Sequence, residues 1–278
     1  MRILVTGAAG TLGSAVVVHL RSLRHSVRAH DLVPVDPAQA DEVVTGDLRD
    51  PDHVRSLVDG MGGVVHAAAI PSPRPDEQAV FTNNVMSAYQ VLEAAGRGGV
   101  RRIVYISSLS ALGFAYSSHD ASPESVPVTE AHPSVAEEVY GLSKYLGEQI
   151  ARTTALRWGG SVVSLRFPFL GSGERLRGHI ARVHERPGDD RRGLWAWLDT
   201  RDAARAIEAA LTRPPTGHHL INVVAPDTTA LESTAELLRR YHPSSVLAEP
   251  LEGFATPFST QRSRELLGFT AAYSWRSK

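Results

Sequence analysis

Thr6-Gly7-Ala8-Ala9-Gly10-Thr11-Leu12-Gly13 joins a short apolar run, Met1–Thr6, to a helical pattern, Leu12–Leu23. Three glycines at intervals of three, set between a strand and a helix, answer a specific physical need. A tight turn brings bare backbone against a pyrophosphate, and the helix N-terminus offers its free N–H groups and dipole to the phosphates. Gly7 suits the turn, Gly10 a close approach of the ligand, and Gly13 close packing of helix on strand. The spacing is G-x-x-G-x-x-G rather than G-x-G-x-x-G, and glycines alone are also ordinary turn residues. The strand before, the helix after and an acid at the end of the next strand give the loop its meaning.

Outward from this loop the alternation continues. Ser26–His30 and Glu42–Thr45 read as strands, and Pro51–Val58 as a helix with Asp50 as N-cap and Pro51 at the first helical position. Strands at Gly63–His66, Arg101–Ser107 and Ser161–Arg166 are separated by long helices at Glu77–Gly96 and Val135–Trp158. Several of these strands are apolar without strict alternation, as strands buried on both faces are. The pattern predicts an α/β fold, a Rossmann-like doubly wound parallel sheet. After Arg166 glycine, proline and arginine become denser. The chain continues with a helix at Thr200–Leu211, a strand at His219–Val224, a helix at Leu231–Tyr241 and a short one near Arg262–Leu267. The expectation is a dinucleotide-binding core over residues 1–166 and a small C-terminal substrate lobe over 167–278, with about 200–224 returning to the core. Gly188–Arg192 reads as a mobile surface loop.

Composition narrows the function. The 278 residues suit one large α/β domain or a nucleotide-binding core with a small appendage. A formal net charge of -1 gives no global argument for nucleic acid or an anionic membrane as partner, so a small-molecule substrate is expected. The chain has no cysteine, which excludes thiolate catalysis, disulfides and Cys-ligated metals and fits the cytoplasm. Arg2 and the apolar residues after it superficially resemble a signal peptide, but Ile3-Leu4-Val5 is a strand run and the glycines at 7, 10 and 13 interrupt the segment beyond it. No apolar run reaches the ~18 residues of a membrane helix. The 12 histidines show no H-E-x-x-H or similar spacing, so no metal is expected. His66 and the pair His218-His219 read as structural, and Trp195 and Trp197 as packing aromatics.

Asp31 lies at the end of the second strand, 18 residues after Gly13. A carboxylate there accepts from both ribose hydroxyls and repels a 2′-phosphate, which favours NAD over NADP; Arg24 and Arg28 nearby temper that preference, and a solvated loop acid is the alternative. Asp47 is either an acceptor for the adenine amino group or a turn acid. Tyr140 and Lys144, at i and i+4, share one face of a predicted helix. An ammonium beside a phenol favours the phenolate and lowers its pKa toward the range useful for acid/base work. Ser107 and Ser108 end the fifth strand, at the sheet edge where ligands bind. Arg175, Arg177, Arg182 and Arg186 are either carboxylate- or phosphate-binding groups or a solvated face.

Taken in order, TGAAGTLG at 6–13, HD at 30–31, GDLRD at 46–50, VVHAAA at 64–69, NNV at 83–85, VLEAA at 91–95, VYISS at 104–108, YGLSK at 140–144 and LRFPF at 165–169 resemble the extended short-chain dehydrogenase/reductases, the NAD-dependent epimerase/dehydratase family. The resemblance covers roughly residues 1–212, with a looser echo at Arg262–Phe269. It implies Tyr140 as general acid/base, Lys144 as its partner and Ser108 as the substrate-binding hydroxyl, with Ser107 and Ser110 as alternatives in register. It implies a cofactor site lined by Gly7, Gly10, Thr11, Leu12, Gly13, Asp31, Asp47, Leu48, Ala67, Ala68, Ala69, Asn84, Tyr140 and Lys144, with Phe167 and Pro168 near the nicotinamide. It also implies a homodimer through the two long helices.

Two departures from the family matter. Its dehydratases carry an Asp-Glu pair where this chain has Leu109-Ser110, and 278 residues is short for a protein that holds a whole sugar nucleotide. The segment Arg192–Trp197 is loosely similar to uronate dehydrogenases. The expected function is hydride transfer at a hydroxyl-bearing carbon of a sugar, sugar acid or related alcohol. A sugar-nucleotide epimerase with retained NAD is the alternative, and a non-catalytic dinucleotide sensor the third reading.

Overall fold

The computed structural model describes residues 1–276. In chain order the first half contains β1 (Arg2–Thr6), α1 (Thr11–Ser22), β2 (Ser26–Asp31), β3 (Glu42–Thr45), α2 (Pro51–Val58), β4 (Gly63–His66), α3 (Glu77–Arg97), β5 (Arg102–Ser108) and β6 (Ser125–Val126). The second half contains α4 (Val139–Trp158), β7 (Ser161–Phe167), β8 (Phe169–Gly171), α5 (Gly173–Glu185), β9 (Trp197–Asp199) and α6 (Thr200–Thr212). It closes with β10 (Gly217–Asn222), α7 (Thr234–Tyr241), β11 (Val246–Leu247) and α8 (Gln261–Leu267).

Seven strands form one sheet in the order β10-β7-β5-β4-β1-β2-β3, and every pairing in it is parallel. The order steps outward from β1 in both directions, so the chain reverses there and a crevice opens at the carboxyl ends of the strands. Two cores explain the unbroken apolar strands. Ile3, Val5, Val65, Val104 and Val163 point to the face covered by α1 and α6. Their neighbours Leu4, Val64, Ile103, Tyr105 and Val162 point to the face covered by α2, α3 and α4. Each strand must therefore be apolar at odd and even positions alike.

A third cluster belongs to the lobe: Leu112, Phe114, Val126, Val128, Leu194, Trp195, Leu237 and Phe258 are all buried there. A cut by sequence position assigns residues 109–128 to the first unit, but their packing joins them to the lobe. The lobe also holds two small parallel pairs, β6 with β11 and β8 with β9. Trp195 and Trp197 are both buried, one in the lobe cluster and one in the sheet core.

The helix α5 is absent from the sequence reading, β10 runs Gly217–Asn222 rather than His219–Val224, and caps account for two later helix starts. The α4 helix begins at Val139 rather than Val135, because the Glu138 carboxylate accepts from the backbone N–H of Tyr140 at 2.7 Å and of Gly141 at 2.5 Å. The α7 helix begins at Thr234 rather than Leu231, where Ser233 and Glu236 form a capping box. Pro187–Gly193 is a 3-10 turn anchored by Arg191, which donates to Gly188 O and Asp120, rather than a free loop. No helix among the described residues is long and apolar enough to cross a membrane.

The α4 helix lies unusually close to β5. A Cβ added at Gly147 would overlap the Tyr105 hydroxyl, and Tyr105 is itself fully buried. Gly147→Ala is therefore expected to destabilise the fold by about 1–3 kcal/mol, despite alanine's better helix propensity. A urea midpoint at or above that of the parent protein would contradict this close contact.

Candidate active site

The glycine loop is shaped by contact with the turn after β4. Gly7 has φ +72°, and a Cβ on it would sit 2.7 Å from the Ala68 nitrogen. A Cβ on Gly13 would overlap the Gly7 carbonyl oxygen, so the start of α1 and the end of β1 approach as only glycine allows. The residue at the α1 N-cap is Gly10, and no side chain caps this helix. By contrast α2, α3, α4, α6 and α7 are capped by Asp50, Asp76, Glu138, Asp199 and Ser233. The first N–H groups of α1, from Thr11 onward, thus keep their hydrogen-bonding capacity and the positive end of the helix dipole for a ligand.

Asp31 lies beside this loop at the end of β2. Its Oδ2 accepts from Ala9 N at 2.9 Å and its Oδ1 from Leu32 N at 2.7 Å. The carboxylate fixes the loop, Oδ1 also accepting from Val33 N at 3.4 Å, and Oδ2 retains acceptor capacity for a hydroxyl donor. Asp47 follows β3, gripped by the Arg49 guanidinium at 2.5–3.0 Å; that hydrogen bonding holds its carboxyl below the usual range. Asp50, not Asp47, caps α2. Leu48 is buried. Ala67, Ala68 and Ala69 form the half-buried turn against which Gly7 rests. The uncapped helix, the bare loop and the strand-end carboxylate suit a dinucleotide with its pyrophosphate on α1 and its ribose on Asp31.

Tyr140, in the first turn of α4, is almost wholly buried. Burial pushes its phenol above the ordinary value of 10, and the adjacent Ser108 hydroxyl pulls it the other way. The i, i+4 spacing predicts that Lys144 lowers this phenol, but burial outweighs every neighbour. The Lys144 ammonium donates to Ile106 O at 2.9 Å and lies 5.9 Å from the Tyr140 ring centroid. Burial also pulls Lys144 down to about 8, against the attraction of Glu148. Ser108 is half-buried at the end of β5, bonded to the Ser110 hydroxyl at 3.1 Å. Ser107 is committed to Glu148, donating to it at 2.6 Å, so of the three serines it is Ser108, bonded to Ser110, whose hydroxyl lies beside the Tyr140 phenol.

Other residues sort by what their polar atoms already do. Asn84 spends its amide hydrogens on Ile70 O and Ser143 Oγ, both at 3.1 Å, and accepts from Ile70 N at 2.8 Å. It ties the turn after β4 to α4. Phe167 is buried at the end of β7, with Pro168 half-buried beside it. Arg175 donates to Leu170 O and Arg186 pairs with Asp189, while Arg177 is largely exposed. A cleft of about 450 Å³ opens in the lobe beside α5, lined by Arg177, His184, Trp197, Arg201 and Trp275 among others, but by none of the residues around Tyr140.

Sequence reasoning missed four contributors. Glu138 caps the helix that carries Tyr140, and the Tyr116 ring meets the Tyr140 ring edge-on at 6.1 Å. Glu148 and Arg166 form a buried bidentate ion pair at 2.8 Å below Lys144. Spacing could have found Glu148, which follows Lys144 as Lys144 follows Tyr140.

Known proteins share this architecture. The model of the NAD dependent epimerase/dehydratase family matches residues 3–224. The chain belongs to this family. A uronate dehydrogenase of Pseudomonas syringae pv. tomato is 33% identical over 231 residues, 82% of this chain and 76% of its own. A UDP-glucose 4-epimerase of Lacticaseibacillus casei is 31% identical over a smaller share, 66% of this chain and 56% of its own. Among solved structures, a short-chain dehydrogenase/reductase superfamily protein from Agrobacterium tumefaciens with bound NAD superposes with a TM-score of 0.74 at 28% identity, covering 99% of this chain and 93% of its own.

Two histidines at the strand ends of this site make the fold acid-sensitive. Burial lowers His30 from 6.5 to about 4 and His66 from 6.5 to about 3. The unfolded chain therefore takes up these protons first, and stability falls as pH drops below about 6.5, by up to ~1.4 kcal/mol per pH unit for each histidine. Urea midpoints measured from pH 7 to pH 4.5 should decline, and less steeply in His66→Asn. A slope unaffected by that substitution would contradict the buried neutral state of His66.

Proposed function

We propose that this protein is an NAD-dependent dehydrogenase of a sugar or sugar acid, with Tyr140 as its general acid/base. The observation that carries the reading is the meeting of Tyr140, Ser108 and Lys144 at the carboxyl edge of the same sheet whose first helix is left uncapped. Bound NAD supplies the hydride acceptor. The Ser108 hydroxyl holds the substrate oxygen, and Tyr140 Oη takes its proton as the carbon is oxidised. The buried ammonium of Lys144 stabilises the phenolate that this proton transfer requires. Asp31 selects NAD over NADP by accepting ribose hydroxyls and repelling a 2′-phosphate.

The uronate dehydrogenase relative and the likeness of Arg192–Trp197 to such enzymes favour a free sugar acid as substrate. The lesser coverage of the epimerase relative disfavours the retained-cofactor alternative. Leu109, where family dehydratases carry an acid, is buried in the lobe core, which leaves no elimination chemistry at that position. The presence of the complete Ser-Tyr-Lys set speaks against a sensor. A chain without cysteine fits a reducing compartment, and the cytoplasm is its proposed location.

The working unit is a homodimer through α3 and α4. Tyr89 and Met86 on α3 and Leu142 and Tyr145 on α4 are large exposed apolar groups on adjacent helices. Light scattering is expected to give twice the 30.0 kDa chain mass, with Tyr89→Glu shifting it to one chain. A parent protein that scatters as one chain would refute the dimer.

Activity is tested at the reduced-nicotinamide absorbance with glucuronate and other uronates, aldoses and secondary alcohols, with NAD and with NADP. Reduction should be faster with NAD, and Tyr140→Phe should lower kcat by about 100-fold or more. Undiminished turnover in the variant would remove Tyr140 from the chemistry.

A further inference from the structure

Below Tyr140 and Lys144 the same helical face carries a third charged group. Tyr140, Lys144 and Glu148 recur at intervals of four, so their side chains lie one above the other. Glu148 is 1% exposed, Arg166 3% and Lys144 4%. Arg166 Nε and Nη2 donate to the two Glu148 carboxylate oxygens, each at 2.8 Å, and the Ser107 hydroxyl donates to one of them at 2.6 Å. Lys144 instead donates to Ile106 O at 2.9 Å, so Glu148 acts on it through space.

Charge counting gives the arrangement a direction. Lys144 and Arg166 bring two positive charges and Glu148 one negative charge, which leaves the buried group one positive charge in excess. Arg166 Nη1, buried and without a hydrogen-bond acceptor, is part of that excess. Ionisation of Tyr140 supplies the missing negative charge. The groups facing Lys144 are Tyr140 and Glu148 from α4, Tyr105 and the Ile106 carbonyl from β5, His66 from β4 and, beyond Glu148, Arg166 from β7. His66 is held neutral, and burial keeps Tyr105 protonated. Among the described residues, Glu148 is thus the one standing anion in this shell.

We propose that Glu148, clamped by Arg166 and Ser107, is the positioning residue that keeps Lys144 an ammonium beneath the Tyr140 phenol. The clamp holds the carboxylate in place through three hydrogen bonds, while the Arg166 guanidinium opposes part of its field at Lys144. The inference rests on the reading of Tyr140 and Lys144 as the working pair. It adds an acid two helical turns away that touches neither substrate nor cofactor.

The sequence offers a clean readout, because Lys144 and Lys278 are its only lysines. Lys278→Arg protein labelled with carbon-13 at lysine Cε gives a single titrating lysine signal by NMR. In the parent Lys144 should titrate near about 8. Glu148→Gln should move this midpoint down by about one pH unit or more, and Glu148→Asp should largely restore it. Arg166→Gln should move it up, since removal of the competing cation leaves the carboxylate to Lys144 alone. Opposite displacements support the proposal; an unchanged midpoint, or displacement of both variants in one direction, overturns it. Should Glu148→Gln not fold, Arg166→Gln decides alone, with a rise supporting and no rise refuting. The titration needs neither substrate nor NAD, so a parent protein that reduces no NAD would defeat the dehydrogenase reading without touching this result.

Discussion

The closeness of α4 to β5 is the constraint on which the site depends. Gly147 lets the helix rest on the Tyr105 ring, and Gly96 of α3 admits Trp158 of α4 in the same way, since a Cβ there would lie 2.5 Å from the Trp158 ring. With the helix seated this deeply, Tyr140, Lys144 and Glu148 reach the ends of β5 and β7 instead of solvent. Their partners Ser108, Ile106 O, Ser107 and Arg166 all come from those two strands. The contact that stabilises the fold is thus the contact that brings the residues of the candidate site together.

Burial sets two demands in opposition. A phenol and an ammonium removed from water both resist charge, and both groups shift accordingly. Exclusion of water also strengthens each remaining electrostatic contact. The bidentate Arg166–Glu148 pair satisfies most of its own hydrogen bonds and so places a fixed ion pair in this dry region, where replacing one partner is far more costly than the pair itself is stabilising. On the opposite side of the crevice the protein leaves positive potential unused, at the uncapped start of α1. Both halves of the site are organised before a ligand arrives, and that preorganisation is what electrostatic catalysis requires.

Much of the fold is legible in the sequence because strand–helix alternation and fixed spacings carry it. The glycine loop and the apolar strands read directly as parts of a parallel α/β sheet, and Asp31, Tyr140 and Lys144 can be placed near its carboxyl edge from their order along the chain. Boundaries set by side-chain caps are harder: α4 starts four residues late because a glutamate, rather than the usual Ser, Thr, Asp or Asn, accepts from the helix N–H groups. The membership of residues 109–128 in the lobe core is invisible because it depends on contacts with residues 194–258. The state of Tyr140 is misjudged from spacing for a related reason. Spacing reveals a neighbouring lysine, whereas desolvation comes from the whole surrounding fold. The Glu148–Arg166 pair is hidden by 18 residues of separation and a change of element.

The most direct test of the account is the destination of the substrate's hydrogen. Perdeuterated glucuronate incubated with the protein and a molar excess of NAD should yield reduced NAD in solution carrying one deuteron on its nicotinamide ring, measured by mass spectrometry, in step with disappearance of the uronate. Deuterium retained in the sugar across the panel of uronates and aldoses, with NAD released only on denaturation, would contradict the dehydrogenase account and assign the same residues to an epimerase.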